Sequence, residues 1–325
     1  MDKIKTAVVG VGHLGRHHAR WYKNLPDSEL VGVFDIDAGK SGAVAEELGI
    51  PALVSLDELI AKAEAVSVAV PTLNHYEVTE ILLKNKVHCL VEKPIASTSE
   101  QAAAMIALAK KNNVVMTVGQ IERFNPAVQA IMEHKINPRF IEAHRLAAFN
   151  PRGTDVAVIL DLMIHDIDLT LHLIKSKIAR IEAAAVAVIS DTADIANARL
   201  TFENGAVANL TASRISLRPM RKLRIFQKSG YYSLDLAEKR ADIYRLADDV
   251  PANAVGMRIP LGDSGREIFY AKAGSSDSDM LRAELQAFLK SIHDNLQPPV
   301  AAEEAAEALR VAIEVERVGL SEIKE

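Results

Sequence analysis

Six residues, Gly10-Val11-Gly12-His13-Leu14-Gly15, restrict this chain more than any other stretch. They follow an apolar run over residues 4–9 and lead into a helix-forming segment over residues 13–23. Each glycine has its own task in such a loop. Gly10 permits a tight turn, Gly12 lets the backbone approach a pyrophosphate, and Gly15 lets the helix pack against the strand. The helix start at His13 and Leu14 offers free N–H groups and a positive dipole end to phosphates. A purely structural glycine turn with a capping aspartate is the competing reading. The context favours a dinucleotide. A second strand over residues 30–34 ends in Asp35, about 20 residues past Gly15, the spacing at which an acid reaches ribose hydroxyls. Its carboxylate would repel a 2′-phosphate, so NAD is expected rather than NADP. Asp37 adds to that charge, and Lys40 opposes it.

Strands and helices keep alternating. Apolar strands are expected over 65–70, 87–91 and 114–118, with helices through Leu83 and over 99–111. This alternation implies a doubly wound parallel sheet. Ligands of such sheets sit beyond the carboxyl ends of the strands. Right-handed crossovers bring Gly12, Asp35, Val70-Pro71-Thr72, Asn74, His75, Glu92-Lys93-Pro94 and Gln120 to one edge. His75 is read as lining the cofactor, against a capping or surface role. Lys93 falls where the reactive end of a cofactor should lie, and an ammonium there can polarise a carbonyl or an alcohol. Pro94 allows a cis Lys93-Pro94 bond.

The remaining composition is that of an ordinary globular chain. Its 325 residues suggest about two domains, divided near residue 120. The net charge of -5 gives no argument for nucleic acid or a membrane surface. No apolar run reaches a membrane span, and the first apolar stretch is too short for a signal peptide. Cys89 is the single cysteine and falls in an expected strand, so it reads as a buried inert thiol. The absence of any intramolecular disulfide fits the cytoplasm.

The second half changes character. Residues 155–174 read as a helix that is apolar on most sides. Asp161, His165, Asp168 and His172 break the rule on one narrow arc. Unpaired in a core, such groups would cost several kcal/mol each. One reading is a polar wall facing a cleft, in which Asp161 orients His165 and the imidazole accepts a proton. The other is a self-satisfied buried network or a solvated face. A metal site from His165, Asp166 and His172 is a weaker reading, because Asp166 points away from the other two.

Alternating segments then follow at 183–189, 196–202, 206–212, 223–226 and 231–236. Asn204-Gly205 signals a hairpin and favours a type I′ turn. These strands imply a mainly antiparallel sheet with one face free for solvent or another subunit, and homo-oligomerisation through that face is expected. Arg214, Arg218, Arg221, Lys222 and Arg224 crowd one region and suit either a diphosphate or a solvated strand face. Glu122, Arg123 and Arg152 are further substrate-contact candidates. Helices over 279–295 and 302–319 close the chain.

Together, Gly10-x-Gly12-x-x-Gly15, Pro71–His75, Glu92-Lys93-Pro94 and Asp161-x-x-x-His165 resemble the glucose–fructose oxidoreductase, inositol dehydrogenase and MocA family over essentially the whole chain. The resemblance implies a Rossmann domain followed by an α+β domain with an open sheet. It implies Lys93, Asp161 and His165 at the catalytic positions, with His165 as proton acceptor. A glycine often seen just before the family's aspartate is displaced here, since Gly153 lies farther off. The segments 121–126, 152–156 and 161–168 are similar to a bacterial subgroup of UDP-N-acetylglucosamine 3-dehydrogenases. The implied activity is NAD-dependent oxidation of a secondary alcohol on a sugar or nucleotide sugar. Two rivals remain: an NAD-dependent glycosidase or lyase on the same scaffold, and a redox sensor that turns nothing over.

Overall fold

The computed structural model describes residues 3–150, 156–250, 254–274 and 278–321. The chain forms two compact units, Met1–Ile121 with Asp279–Arg310, and Glu122–Ser278 with Val311–Glu325.

The first unit is a five-stranded parallel sheet, ordered β2-β1-β3-β4-β5. Its strands are β1 (Ile4–Val9), β2 (Ser28–Phe34), β3 (Ala65–Val68), β4 (His88–Glu92) and β5 (Met116–Gly119). The crossovers carry α1 (His13–Asn24), α2 (Ala38–Leu48), α3 (Leu56–Lys62), α4 (His75–Lys84) and α5 (Ser99–Asn112). All four residues of β3 are buried, as expected for a strand covered on both faces. Four strands differ from the expected spans by one or two residues; β2 begins earlier, at Ser28, and β4 is shifted by one, to His88–Glu92. The third stops at Val68, and the fifth starts at Met116. The helices α2 and α3 carry no strong apolar period, but their caps are explicit. Asp37 accepts from Gly39 and Lys40 at the start of α2, and Ser55 accepts from Glu58 at the start of α3. Asp37 is thus a helix cap rather than part of a cofactor-facing pair of acids.

A single boundary at residue 120 does not describe the chain. Residues 279–310 belong with the first unit because α8 (Met280–His293) buries Leu285, Phe288 and Leu289 against Val8, Tyr22, Leu25 and Leu90. Its apolar residues recur at helical spacing, and this sheet supplies the surface that covers them.

The second unit is built on a nine-stranded sheet, in which β6 and β9 are parallel and the other pairs antiparallel. The strands are β6 (Phe140–Leu146), β7 (Ile178–Val186), β8 (Ile195–Phe202), β9 (Val207–Ser213), β10 (Met220–Gln227), β11 (Gly230–Asp235), β12 (Arg240–Leu246), β13 (Met257–Pro260) and β14 (Glu267–Ala273). Their order is β13-β14-β12-β11-β10-β6-β9-β8-β7. The helices are α6 (Pro126–Met132), α7 (Ile164–Ile174) and the second half of α9 (Ala302–Ser321). Ala143, Ala196, Ala198, Ala208 and Ala212 line the inner face, and their small side chains admit close packing of α7 on β6 and β9. The opposite face bears a row of aromatic residues in direct register: Phe140, Phe226, Tyr231, Tyr244 and Tyr270. Neighbouring rings lie 4.7–5.7 Å apart. The β8–β9 turn is not type I′. Among its residues only Gly205 has positive φ (+79°), and Phe202 N–H bonds Ala206 O across a three-residue loop. That is a type I turn followed by a left-handed glycine.

Candidate active site

The glycine loop has the geometry its spacing predicts. Gly10 has φ +81°, and a Cβ there would lie 2.7 Å from the Ala69 backbone. A Cβ on Gly15 would lie 1.8 Å from Gly10 O, so helix and strand touch at that point. Gly12 faces open space, with nothing within 4 Å of its would-be Cβ. No side chain caps α1, which leaves its first N–H groups turned toward that space. Asp35 Oδ2 accepts from Val11 N at 2.9 Å, and its Oδ1 accepts from Asp37 N. The acid therefore braces the glycine loop and stands at the end of β2. These features fit a dinucleotide: an open cradle, free amides and a carboxylate for the ribose.

Further along the same edge, Val70, Pro71 and the 3-10 turn Thr72–Asn74 follow β3. Leu14, Ile36 and Leu73 are exposed there at 48%, 96% and 79%, each just after one of the first three strands. Neither Ile36 nor Leu73 carries a sequence signal of exposure, since only the fold reveals which apolar side chains stay uncovered. Gln120, just after β5, is fully buried, and neither its amide nitrogen nor its oxygen has a hydrogen-bond partner among the described residues. An orphaned amide at the edge where strands present ligands also fits an absent group.

His75 is a correction. It is buried, and its ring nitrogens lie 2.8 Å from Pro94 O and 2.9 Å from Val70 O. It ties the loop after β3 to the Lys93-Pro94 loop and lines no open space. Burial pushes its pKa below the usual histidine range, against the two carbonyls. The Lys93-Pro94 bond is cis, and Lys93 is half-buried. Glu92 accepts from His18 Nε2 at 2.8 Å. Burial pushes the Glu92 carboxyl up, but the His18 bond and the nearby Lys93 charge hold it below its ordinary value. Cys89 is fully buried, and burial raises its thiol far above the reactive range.

In the second unit Asp161 and His165 are both half-buried. Asp161 lies in a π-helical turn, Ile159–Met163, and His165 in the first turn of α7. The expected helix over 155–174 is therefore not uniform, and residues 153–155 lie outside the described residues, as does Arg152. π turns break the 100° spacing and are frequent at functional sites. The other half of the polar stripe is structural. Arg123 donates to both Asp168 oxygens at 2.7 Å and contacts His172 Nδ1 at 3.1 Å. Arg145 joins Asp166 through two bonds at 2.9 Å and Glu122 at 2.8 Å. Glu122, Arg123, Arg145, Asp166 and Asp168 are all at most 4% exposed. Glu122 and Arg123 are thus not retained as substrate contacts, because their charged ends are consumed in holding α7 on the sheet. Asp166 is equally committed, and no grouping of His, Cys, Asp or Glu among the described residues could hold a metal.

The basic cluster also divides. Arg214 is buried, donates to Val156 O and lies 3.9 Å from Asp194. Lys222 and Arg224 pair with Asp235 and Glu142. Arg221 lies opposite Arg145 in the β6–β10 register, on the face that carries α7, and Arg218 is exposed in the preceding loop.

Residues 4–120 match the family model described as an oxidoreductase family with an NAD-binding Rossmann fold, and residues 127–233 match the GFO/IDH/MocA C-terminal domain. The UDP-N-acetylglucosamine 3-dehydrogenase of Acidithiobacillus ferrooxidans is 40% identical over 293 residues, 90% of each chain. The chain belongs to the Gfo/Idh/MocA family. The solved structure of that Acidithiobacillus enzyme, GnnA, superposes with a TM-score of 0.88 at 37% identity over 98% of both chains. The scyllo-inositol dehydrogenase of Lactobacillus casei, solved with NAD(H) and scyllo-inositol, shares the fold at 19% identity and a TM-score of 0.78 over 98% of both chains. As a Gfo/Idh/MocA protein, the chain is a dehydrogenase acting on CH–OH groups, with NAD as its cofactor. No described helix is long and apolar enough to cross a membrane.

Proposed function

We propose that this dehydrogenase oxidises a secondary alcohol of a nucleotide sugar, with C3 of UDP-N-acetylglucosamine as the substrate position. The observation that carries the reading is the 40% identity, over nine-tenths of both chains, to an enzyme of that name. Held by the glycine loop and Asp35, NAD would supply the oxidising power as the acceptor of a hydride from the carbinol carbon. The protein's own residues manage the oxygen and its proton. The Lys93 ammonium donates to the reacting hydroxyl and stabilises negative charge on its oxygen as the proton leaves. His165 accepts that proton, and Asp161 orients substrate or imidazole. The carbonyl product, reduced NAD and a protonated His165 balance the step. Arg218 and Arg221 are the basic-cluster members left to meet a diphosphate.

The test is absorbance of reduced nicotinamide, screened over free sugars, inositols and UDP-sugars. Net reduction with UDP-N-acetylglucosamine supports the reading. Bond cleavage without net reduction would favour a glycosidase. Lys93→Ala should lower turnover by about two to four orders of magnitude, and unchanged turnover would remove Lys93 from the chemistry.

The aromatic row on the outer sheet face supports a further element of the proposal, homo-oligomerisation through that face. Five half-buried rings in register offer a self-complementary apolar stripe of the kind that isologous interfaces use. Tyr231→Lys should shift the sedimentation coefficient toward the monomer. The free thiol of Cys89 and the UDP-sugar substrate suit a cytoplasmic location.

A further inference from the structure

A chain of hydrogen bonds runs inside the first unit from α1 to the Glu92-Lys93-Pro94 loop. Tyr22 hydroxyl and Ser67 Oγ lie 2.8 Å apart, Ser67 Oγ and His18 Nδ1 3.0 Å, and His18 Nε2 and Glu92 Oε1 2.8 Å. Tyr22, Ser67 and His18 are fully buried. A neutral imidazole satisfies every member if the donors run one way. Tyr22 donates to Ser67, Ser67 donates to His18 Nδ1, and His18 Nε2–H donates to the Glu92 carboxylate. The far Glu92 oxygen lies 3.3 Å from Lys93 N and fills the space a Cβ on Gly119 would need, at 3.0 Å. The carboxylate is therefore fixed from one side by His18, by β5 at its back and by the Lys93 backbone.

We propose that His18 is a positioning residue for the dehydrogenase reaction, acting through Glu92 to hold a fixed negative charge beside Lys93. This rests on the reading of Lys93 as the group that polarises the hydroxyl. An ammonium on a flexible four-carbon stem needs such an anchor if it is to donate to one oxygen repeatedly.

Four groups face the Glu92 carboxylate: His18 from α1, Lys93 from its own loop, the Gly119 backbone of β5, and Glu284 from α8. Burial favours the neutral acid. The His18 bond and Lys93 favour the anion and prevail. Removing His18 should let Glu92 take up its proton at higher pH. The acid limb of the turnover profile should then move upward, because the anion beside Lys93 disappears earlier on acidification.

The experiment uses full-length His18→Leu, His18→Gln and Ser67→Ala. A glutamine amide can reach Glu92 as the imidazole Nε2–H does, whereas leucine cannot. Carbon NMR of carboxyl-labelled glutamate, on protein without substrate, follows the Glu92 titration directly. Turnover with NAD and UDP-N-acetylglucosamine is measured across pH, and NAD affinity by calorimetry. The expected result is an upward shift of the Glu92 midpoint in His18→Leu, with kcat lowered at least 10-fold, NAD affinity within 3-fold of wild type, and substantial recovery in His18→Gln. Ser67→Ala should shift the midpoint in the same direction by less, and it serves if the leucine variant fails to fold. An unshifted Glu92 midpoint and pH profile in a folded His18 or Ser67 variant would overturn the proposal and leave a merely structural histidine. Wild-type turnover in Lys93→Ala would instead overturn the assignment of Lys93, with the Glu92 titration still able to answer the local question.

Discussion

Glu284 is a carboxyl group in a place that should exclude one. It lies on α8, is 3% exposed, and neither oxygen has a hydrogen-bond partner among the described residues. Burial, reinforced by the Glu92 charge, raises its pKa well above 4.5. The folded protein therefore keeps a proton there at pH values where the unfolded chain has already released it. A carboxyl raised on folding contributes its full stability below its unfolded pKa and loses it as pH rises through the folded value. Wild-type stability should thus decline as pH climbs above about 4.5, relative to a variant without the acid. Glu284→Met keeps the length and most of the volume, and removes two unpartnered oxygens. Protein data place the burial of an unpartnered polar group at about 1–3 kcal/mol. With about 2–4 °C per kcal/mol for a unit of this size, Tm should rise by roughly 2–12 °C. Glu284→Gln keeps an unpartnered polar group but cannot ionise, so it should remove the pH slope and recover less stability. The assay is thermal unfolding by circular dichroism from pH 5 to 8.5. A Met variant that melts below wild type, or one whose difference from wild type is the same at every pH, would refute the reasoning.

Three further outcomes follow from the same structure. Gly12→Ala should fold normally and weaken NAD about 10-fold or more, whereas Gly15→Ala should lose the fold of the loop, because its methyl group would sit 1.8 Å from Gly10 O; calorimetry with NAD and melting curves separate the two. Asp35→Asn keeps an acceptor for Val11 N but removes the charge, so the preference for NAD over NADP should fall about 10-fold, read from the two dissociation constants, with NAD affinity little changed. Arg145→Met leaves Glu122 and Asp166 buried without their cation, and urea unfolding should show a loss of about 3–5 kcal/mol; a loss under 1 kcal/mol would mean the trio does not hold α7.

The parallel sheet was legible because local signals and long-range packing agree there. A glycine loop between a strand and a helix has few other uses, and the aspartate after β2 falls at a fixed distance. The sheet of the second unit was read only in part. β6 carries Arg145 on its inner face, so its alternation of apolar and polar residues is broken at the position the core most needs filled. The polar stripe on α7 was visible, but its division was not. Asp168 and His172 look the same in sequence as Asp161 and His165, and only the approach of Arg123 separates structural from candidate catalytic members. Glu122 and Arg123 carried a motif and no indication of burial.

Taken alone, the sequence determined what depends on neighbours along the chain: the glycine turn, the strand–helix alternation, the cis-permissive Lys93-Pro94 bond and the isolated cysteine. Tertiary structure decided what depends on who approaches from elsewhere. It made His75 a strut between two carbonyls, returned α8 to the first unit, and placed His18 under Glu92 across 74 residues. The physical reason is the range of the forces involved. Backbone conformation is set within a few residues, whereas the state of a buried charge is set by whichever groups the fold brings within hydrogen-bond reach.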